Sequence, residues 1–229
     1  AEDHPSNAEL QSLLGLFQST ERLMREYKET PTPGGHFVLA YEPGVDEVLV
    51  EDAGFALERA YERLGEVVRQ VVPFLDRVID INYYPTDEAG VSNARWRPVG
   101  LGLMGLQDVF FKLGVPFDSP AARDVSRRIS EEIYFNALWA STDLAEANGA
   151  HAAFPETRAA NGDLQFDLWG VEPSDTDRWE PLRERIKAHG LRNSLMIAIA
   201  PTATIASIAG CYECICLLYT SDAADDLIG

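Results

Sequence analysis

Three short stretches hold groups able to bind a ligand or react with one. Gly100-Leu101-Gly102-Leu103-Met104-Gly105 is a literal G-x-G-x-x-G, the spacing with which a strand–turn–helix unit cradles a dinucleotide pyrophosphate. That reading requires a strand before the first glycine, a helix after the last and an acid closing the next strand ~20 residues on. Leu106 to Leu113 reads as a helix, but Arg95-Trp96-Arg97-Pro98 is polar and carries a proline, and Asp124 falls in the first turn of a helix. The glycines therefore read as places where elements pack closely, with a nicotinamide-dependent oxidoreductase as the remote alternative. Cys211-Tyr212-Glu213-Cys214 has C-x-x-C spacing, which needs a helix N-terminus for redox work or further Cys or His ligands for zinc. The histidines (His4, His36, His151, His189) are scattered, so no metal site is expected and the thiols read as structural.

The third stretch is Pro201-Thr202-Ala203-Thr204, between an apolar run at Ser194 to Ala200 and a helix expected from about Ile205. A strand that turns directly into a helix presents orphan N–H groups and the positive end of the helix dipole, which suits a phosphate. An ordinary threonine cap explains the same residues, and spacing alone leaves the two readings level.

The elements that must position these stretches follow from periodicity. Ser6 opens an amphipathic helix with a stripe of Leu10, Leu13, Leu14 and Phe17. Thr30 to Gly35 breaks the chain, and His36 to Tyr41 with Glu47 to Val50 forms an expected hairpin around Pro43-Gly44. A long helix spans about Ala53 to Ile81, with Gly65 and Pro73 as expected irregularities, and Tyr83 to Pro98 reads as a polar connection. Val99 to Met104 is a short buried strand, and the Leu106–Leu113 helix stops at Gly114. Asp118-Ser119-Pro120 starts a helix that buries Val125, Ile129, Ile133, Ala137, Ala140 and Leu144 and ends at Gly149. Gly162 to Gly170 is expected to be extended, Asp177 to His189 helical, and Ser194 to Ala200 a buried strand. Helices alternating with short apolar strands, without internal repeats, place the chain in the α/β class with parallel pairing.

Composition bounds the partners. With 19 basic against 37 acidic side chains in 229 residues, the net charge is -18, which argues against nucleic acid or anionic membrane as a partner. No apolar run approaches the ~20 residues of a membrane span. The start, Ala1-Glu2-Asp3-His4-Pro5, has no signal-peptide character, and three cysteines make no disulfide framework. A cytoplasmic location is expected.

Several of these stretches resemble one family, the ribonucleotide reductase large subunit. They are FLDRVIDINYYP at 74–85, RPVGLGLMGLQD at 97–108, LQFDLWG at 164–170, HGLRNS at 189–194, PTATIAS at 201–207 and GCYECI at 210–215, in family order. The resemblance implies a partial ten-stranded α/β barrel and radical reduction of ribonucleotides to 2′-deoxyribonucleotides. It implies that Thr202, Ala203, Thr204 and Ile205 contact the substrate's phosphates, Ala203 and Ile205 through backbone N–H only. Some relatives carry hydroxyl side chains through this loop where Ile205 is apolar. The motifs look most like class I, whose members depend on a radical from a metal-containing small subunit and on a dithiol reductant. The cobalamin-dependent class II is the alternative. Nucleotide effectors, on regions that this chain lacks, and a homodimer of the parent enzyme are also implied.

The departures define what this chain retains. The family's thiyl cysteine lies in an Asn-x-Cys-x-Glu motif upstream of the 74–85 segment, and no cysteine here precedes Cys211. No catalytic residue and no cofactor is therefore expected on this chain, which reads as an interior slice of a larger enzyme, inactive alone. Residues 1–52 are unassigned, and 53–215 are the barrel piece. Residues 216–229 read as translated sequencing adapter, since TGT CTC TTA TAC ACA TCT GAC GCT GCC GAC encodes Cys216 to Asp225. Resequencing the genomic locus is expected to restore the family's Glu-Pro after Ile215. A slice of a barrel also leaves apolar faces uncovered, so poor solubility is expected.

Overall fold

The computed structural model describes residues 28–36, 38–41, 50–213 and 215. The chain divides into two compact units, Ala1–Glu62 and Arg63–Gly229. The expected Ser6 helix, Cys214 and the 216–229 tail lie outside the described residues.

In the first unit β1 (Lys28–Pro31) pairs antiparallel with β2 (Val38–Tyr41), Lys28 facing Tyr41 and Pro31 facing Val38. The chain reverses at Pro33-Gly34-Gly35, where the Gly35 amide donates to the Thr32 carbonyl at 2.8 Å and Gly35 has φ +74°. That conformation favours glycine. Most of the hairpin expected around Pro43-Gly44, residues 42–49, lies outside the described residues. Val38–Tyr41 finds its partner upstream, because the residues that break regular structure also close a tight turn. Val50 begins a helix instead of ending a strand. Beside this turn the buried Glu58 carboxylate accepts bonds from the Thr32 hydroxyl and the His36 amide and pairs with His36 Nδ1. Burial opposes its charge, but the bonds from Thr32 and His36 outweigh burial and hold the carboxyl below its ordinary value.

The long helix α1 (Val50–Ile81) runs from the first unit into the second without interruption at Gly65 or Pro73. The second unit continues with α2 (Asp87–Trp96), α3 (Leu106–Leu113), α4 (Pro120–Asn148), two 3-10 turns (Phe154–Glu156, Arg158–Asn161), α5 (Gln165–Trp169), α6 (Thr176–His189) and α7 (Ala203–Ala209). Its core gathers on α4. Ile133, Phe135, Ala137, Leu138 and Ala140 cluster with Val68 and Val72 of α1, and with Trp179, Leu182 and Ile186 of α6. Trp179 meets the Phe135 and Phe166 rings edge-on at 5.2 and 4.7 Å. Each fully buried Val, Leu, Ile or Phe side chain of this cluster contributes about 1.5–3 kcal/mol. Gly65 lets α1 approach α4, since a Cβ there would sit 2.7 Å from both Asn136 Nδ2 and Glu132 Oε1.

Helix ends follow local chemistry. Ser119 caps α4 by accepting the Ala122 amide at 3.1 Å, Pro120 opens its first turn, and Gly149 closes it. Asp175 caps α6, and Gly114 ends α3 in the left-handed region.

Three expectations are corrected. The connection at Tyr83–Pro98 contains a helix, α2, capped by Thr86 and opened by Asp87 and Glu88, but it buries no residue and so carries no apolar stripe. Gly162–Gly170 is not extended. It folds as the end of a 3-10 turn and α5, because the Asp167 carboxylate accepts the Leu164 amide at 2.7 Å and starts a helix. Finally, the described residues are mainly helical and form no closed barrel. The two runs read as strands, Val99–Met104 and Ser194–Ala200, are extended but joined by a single parallel bridge, Leu101 to Ile197. An extended segment with one neighbour and one bridge makes no sheet.

Candidate functional site

The 194–200 segment reaches its position through a buried polar network at its start. Asn193, fully buried, donates from Nδ2 to Asp76 Oδ1 (2.8 Å) and to the Arg97 carbonyl (3.1 Å). It exchanges two bonds with Ser141, whose hydroxyl donates to Asn193 Oδ1 and accepts the Asn193 amide, each at 3.0 Å. Arg97 donates from Nε to Asp76 Oδ1 (2.9 Å), and from its two terminal nitrogens to both Asp80 oxygens (2.7 and 2.9 Å) and the Asp76 carbonyl (3.0 Å). The Asp80 bonds, above all, raise the guanidinium's pKa over its ordinary value, and the same bonds hold Asp80 below the usual carboxylate range. Arg97 itself has φ +44°, rare for a side-chain-bearing residue, and ends α2 with its amide on the Asn93 carbonyl. Apart from Ser141, these residues sit inside the 74–85, 97–108 and 189–194 motifs, yet spacing alone did not single them out. The available signal was the Asp76/Asp80 pair, one helical turn apart on α1.

From this base the two extended segments run side by side. The Ser194 amide donates to the Trp96 carbonyl (3.1 Å), Val99 to Leu195 (3.0 Å), Leu101 to Met196 (2.9 Å) and Ala198 back to Leu101 (3.0 Å). Gly102 is required by the approach, because a Cβ would lie 2.8 Å from the Ala198 carbonyl oxygen. The glycine motif thus sits between helices α2 and α3, and its glycines face a neighbouring chain segment. The strand that a dinucleotide site needs in front of the motif is a helix.

At the far end Pro201 and Thr202 turn the chain into α7. Thr202 has φ +58°, and its hydroxyl makes no cap bond to the helix, so the ordinary threonine cap is not what forms. The first helical bond is Ala206 N–H to the Thr202 carbonyl at 2.8 Å. The first-turn amides at Ala203, Thr204 and Ile205 therefore have no acceptor within the helix. Thr202 and Ala203 are half-buried, whereas Thr204 and Ile205 are exposed, Ile205 at 54%. The four expected contact residues are contiguous at one helix start.

Cys211 lies after α7, with its amide on the Ala206 carbonyl at 3.1 Å, so it stands at the helix exit and not at the N-terminus a reactive thiol needs. The exit is tied to α3. The Gly105 amide donates to the Tyr212 carbonyl (2.9 Å), the Tyr212 amide donates to Asp108 Oδ2 (2.7 Å), and the Tyr212 ring meets Phe111 edge-on at 5.4 Å. A cavity of about 420 Å³ flanks the extended pair, walled by Leu101, Leu103, Tyr134, Trp169, Ile197 and Ile199. It is apolar, none of residues 202–205 lines it, and it does not suit a polyanion. Among the described residues no His/Cys/Asp/Glu cluster could hold a metal ion, and no helix is long and apolar enough to cross a membrane.

Comparison with known proteins bears on the same residues. The family model for the ribonucleotide reductase barrel domain matches residues 48–220. A vaccinia virus ribonucleoside-diphosphate reductase large subunit is 50% identical over 148 residues, 65% of this chain and 19% of the relative. The Caenorhabditis elegans large subunit is 47% identical over 155 residues (68% and 20%), and that of Arabidopsis thaliana 46% over 154 (67% and 19%). The chain spans about a fifth of the length of these curated relatives. The family match takes in Asp76, Arg97 and Asn193, both extended segments and the start of α7, and on that match the chain belongs to the ribonucleotide reductase barrel-domain family.

Proposed function

We propose that this chain is part of the catalytic barrel of a ribonucleoside-diphosphate reductase large subunit, and that residues 202–205 hold the diphosphate of its substrate. The observation that carries the reading is the helix start at Ala203, whose first-turn amides have no acceptor within the helix, placed within the family match. Amide donors at a helix start bind phosphate through hydrogen bonds and the helix dipole together. Ala203 and Ile205 would contribute backbone N–H, and Thr204 its amide and hydroxyl. Backbone donors carry no full charge, so a site of this kind is compatible with a net charge of -18.

In the reaction of the complete enzyme the substrate's 2′-hydroxyl is replaced by hydrogen and leaves as water, while a dithiol is oxidised to a disulfide. This chain's part is to anchor the far end of the substrate so that the ribose is held still for that exchange. Its cysteines, at 211, 214 and 216, all follow the phosphate loop, and no thiyl cysteine candidate precedes it. The 229-residue chain is therefore expected to form no deoxynucleotide, and measurable turnover by it would overturn this assignment. The names of the relatives specify a large subunit, which supports a separate small, radical-generating subunit over the cobalamin-dependent class. Effector nucleotides, homodimerisation and a cytoplasmic location belong to the same proposal. The direct test is amide hydrogen exchange with and without inorganic pyrophosphate. Slowed exchange at residues 203–205 is expected, and unchanged exchange there would sink the phosphate-loop reading.

A further inference from the structure

Resting on the phosphate-loop reading, we propose that Asp108 is a positioning residue for residues 202–205 and acts through Tyr212. Helix α7 has seven residues, too few to be stable without its surroundings, so its place is set by what grips its flanks. Both flanks are gripped by one stretch, Gly100–Asp108. On the entry side this is the Leu101–Ile197 bridge, made close by Gly102. On the exit side Tyr212 has both backbone polar groups taken, its carbonyl by the Gly105 amide (2.9 Å) and its amide by Asp108 Oδ2 (2.7 Å).

The exit contact is unusual for a carboxylate in a helix's first turn. Asp108 stands in the first turn of α3, where an acid ordinarily serves its own helix start, but it reaches an amide 104 positions away. The Phe111–Tyr212 ring contact at 5.4 Å reinforces the same joint. Between joint and phosphate loop lie α7, about 10 Å long at 1.5 Å per residue, and its exit at Gly210 and Cys211, where the Cys211 amide bonds back to the Ala206 carbonyl at 3.1 Å. A displaced exit is therefore passed on to the amides at 203–205. The G-x-G-x-x-G stretch acquires a role with no dinucleotide: it clamps the loop-bearing helix at both ends.

The test is residue-resolved amide exchange on the 229-residue chain, titrated with inorganic pyrophosphate, for the unmodified chain, Asp108→Ala and Asp108→Asn. Without ligand, Asp108→Ala is expected to speed exchange at Tyr212 and Cys211 by about tenfold, the loss of one hydrogen bond, and to leave the α4 amides near Leu138 unchanged. Pyrophosphate affinity should fall by about five- to tenfold, and Asp108→Asn, which keeps an acceptor oxygen, should restore both. Asp108→Ala binding pyrophosphate as tightly as the unmodified chain would overturn the clamp and leave the phosphate loop standing. Absence of pyrophosphate protection in the unmodified chain would overturn the phosphate loop and the clamp with it. Loosening of α4, or no rescue by asparagine, would reassign Asp108 to general stability and overturn its positioning role.

Discussion

The two ends of the 194–200 segment are built in opposite ways. At its start, Asn193 is fully buried, Arg97 is 5% exposed, and each of their side chains has several partners. At its finish Ile199, Thr204 and Ile205 are exposed, and the helix start has first-turn amides without helical acceptors. At one end the Asn193 and Arg97 side chains are bonded within the protein, and at the other the first-turn amides have no acceptor within the helix. On the proposed phosphate-loop reading, a loop that grips a polyanion cannot also use its donors in its own fold, and its rigidity would come from the buried end and from the proposed clamp at Tyr212. The same division explains why Arg97 tolerates a left-handed backbone. Its bonds to Asp76 and Asp80 repay a strain of about 1–3 kcal/mol.

This contrast can be broken most sharply at Arg97. Arg97→Ala leaves the buried Asp76 carboxylate without its main cation and is expected to destabilise the chain by about 3–5 kcal/mol in denaturant titration. A loss under 1 kcal/mol would show that the buried end is not the anchor. Next is Gly102→Val, whose side chain must push Ala198 away, with an expected loss of about 1–3 kcal/mol by the same measurement. The unmodified chain is expected to bind no NADH by calorimetry, and tight binding abolished by this substitution would revive the dinucleotide reading.

A smaller effect is expected with pH. His151, buried beside Leu191 and Trp96, has its pKa lowered by burial, which disfavours the imidazolium. The unfolded chain then takes up a proton below about pH 6.5 that the folded chain refuses. Stability contributed by the neutral ring is full above that pH and falls as pH drops toward the folded value, at up to about 1.4 kcal/mol per pH unit. Thermal melts between pH 7 and 5 should show this slope, and His151→Phe should flatten it. At the open end Ile205→Ser should change stability by only about 0.5 kcal/mol or less, since the side chain is exposed. It should still tighten pyrophosphate binding several-fold by adding a hydroxyl donor, worth about 1 kcal/mol. A stability loss comparable to that of Gly102→Val would place Ile205 in the scaffold instead.

Much of the helical framework was legible from local chemistry. Ser119-Pro120, Gly114, Gly149 and Gly190 marked helix ends correctly, because a cap is settled by a few consecutive residues. The α7 start was legible for the same reason. Helix α2 was missed because it buries nothing, and α5 because Leu164, Phe166 and Leu168 alternate as a strand would while Asp167 quietly starts a helix. The pairing of Val38–Tyr41 with Lys28–Pro31 was missed, since two turn-prone stretches flank Val38–Tyr41 and nothing local shows which one closes a hairpin.

The amino-acid sequence by itself determined the ends of the helices that carry clear caps, and the family. Each of these depends on neighbours along the chain or on motifs read in order. Only the tertiary structure decided that Arg97 and Asn193 hold the two extended segments in register, that Gly102 admits a carbonyl and that Asp108 reaches Tyr212. Those contacts join residues about a hundred positions apart, and no local periodicity records them, because their geometry exists only once the core around α4 has closed.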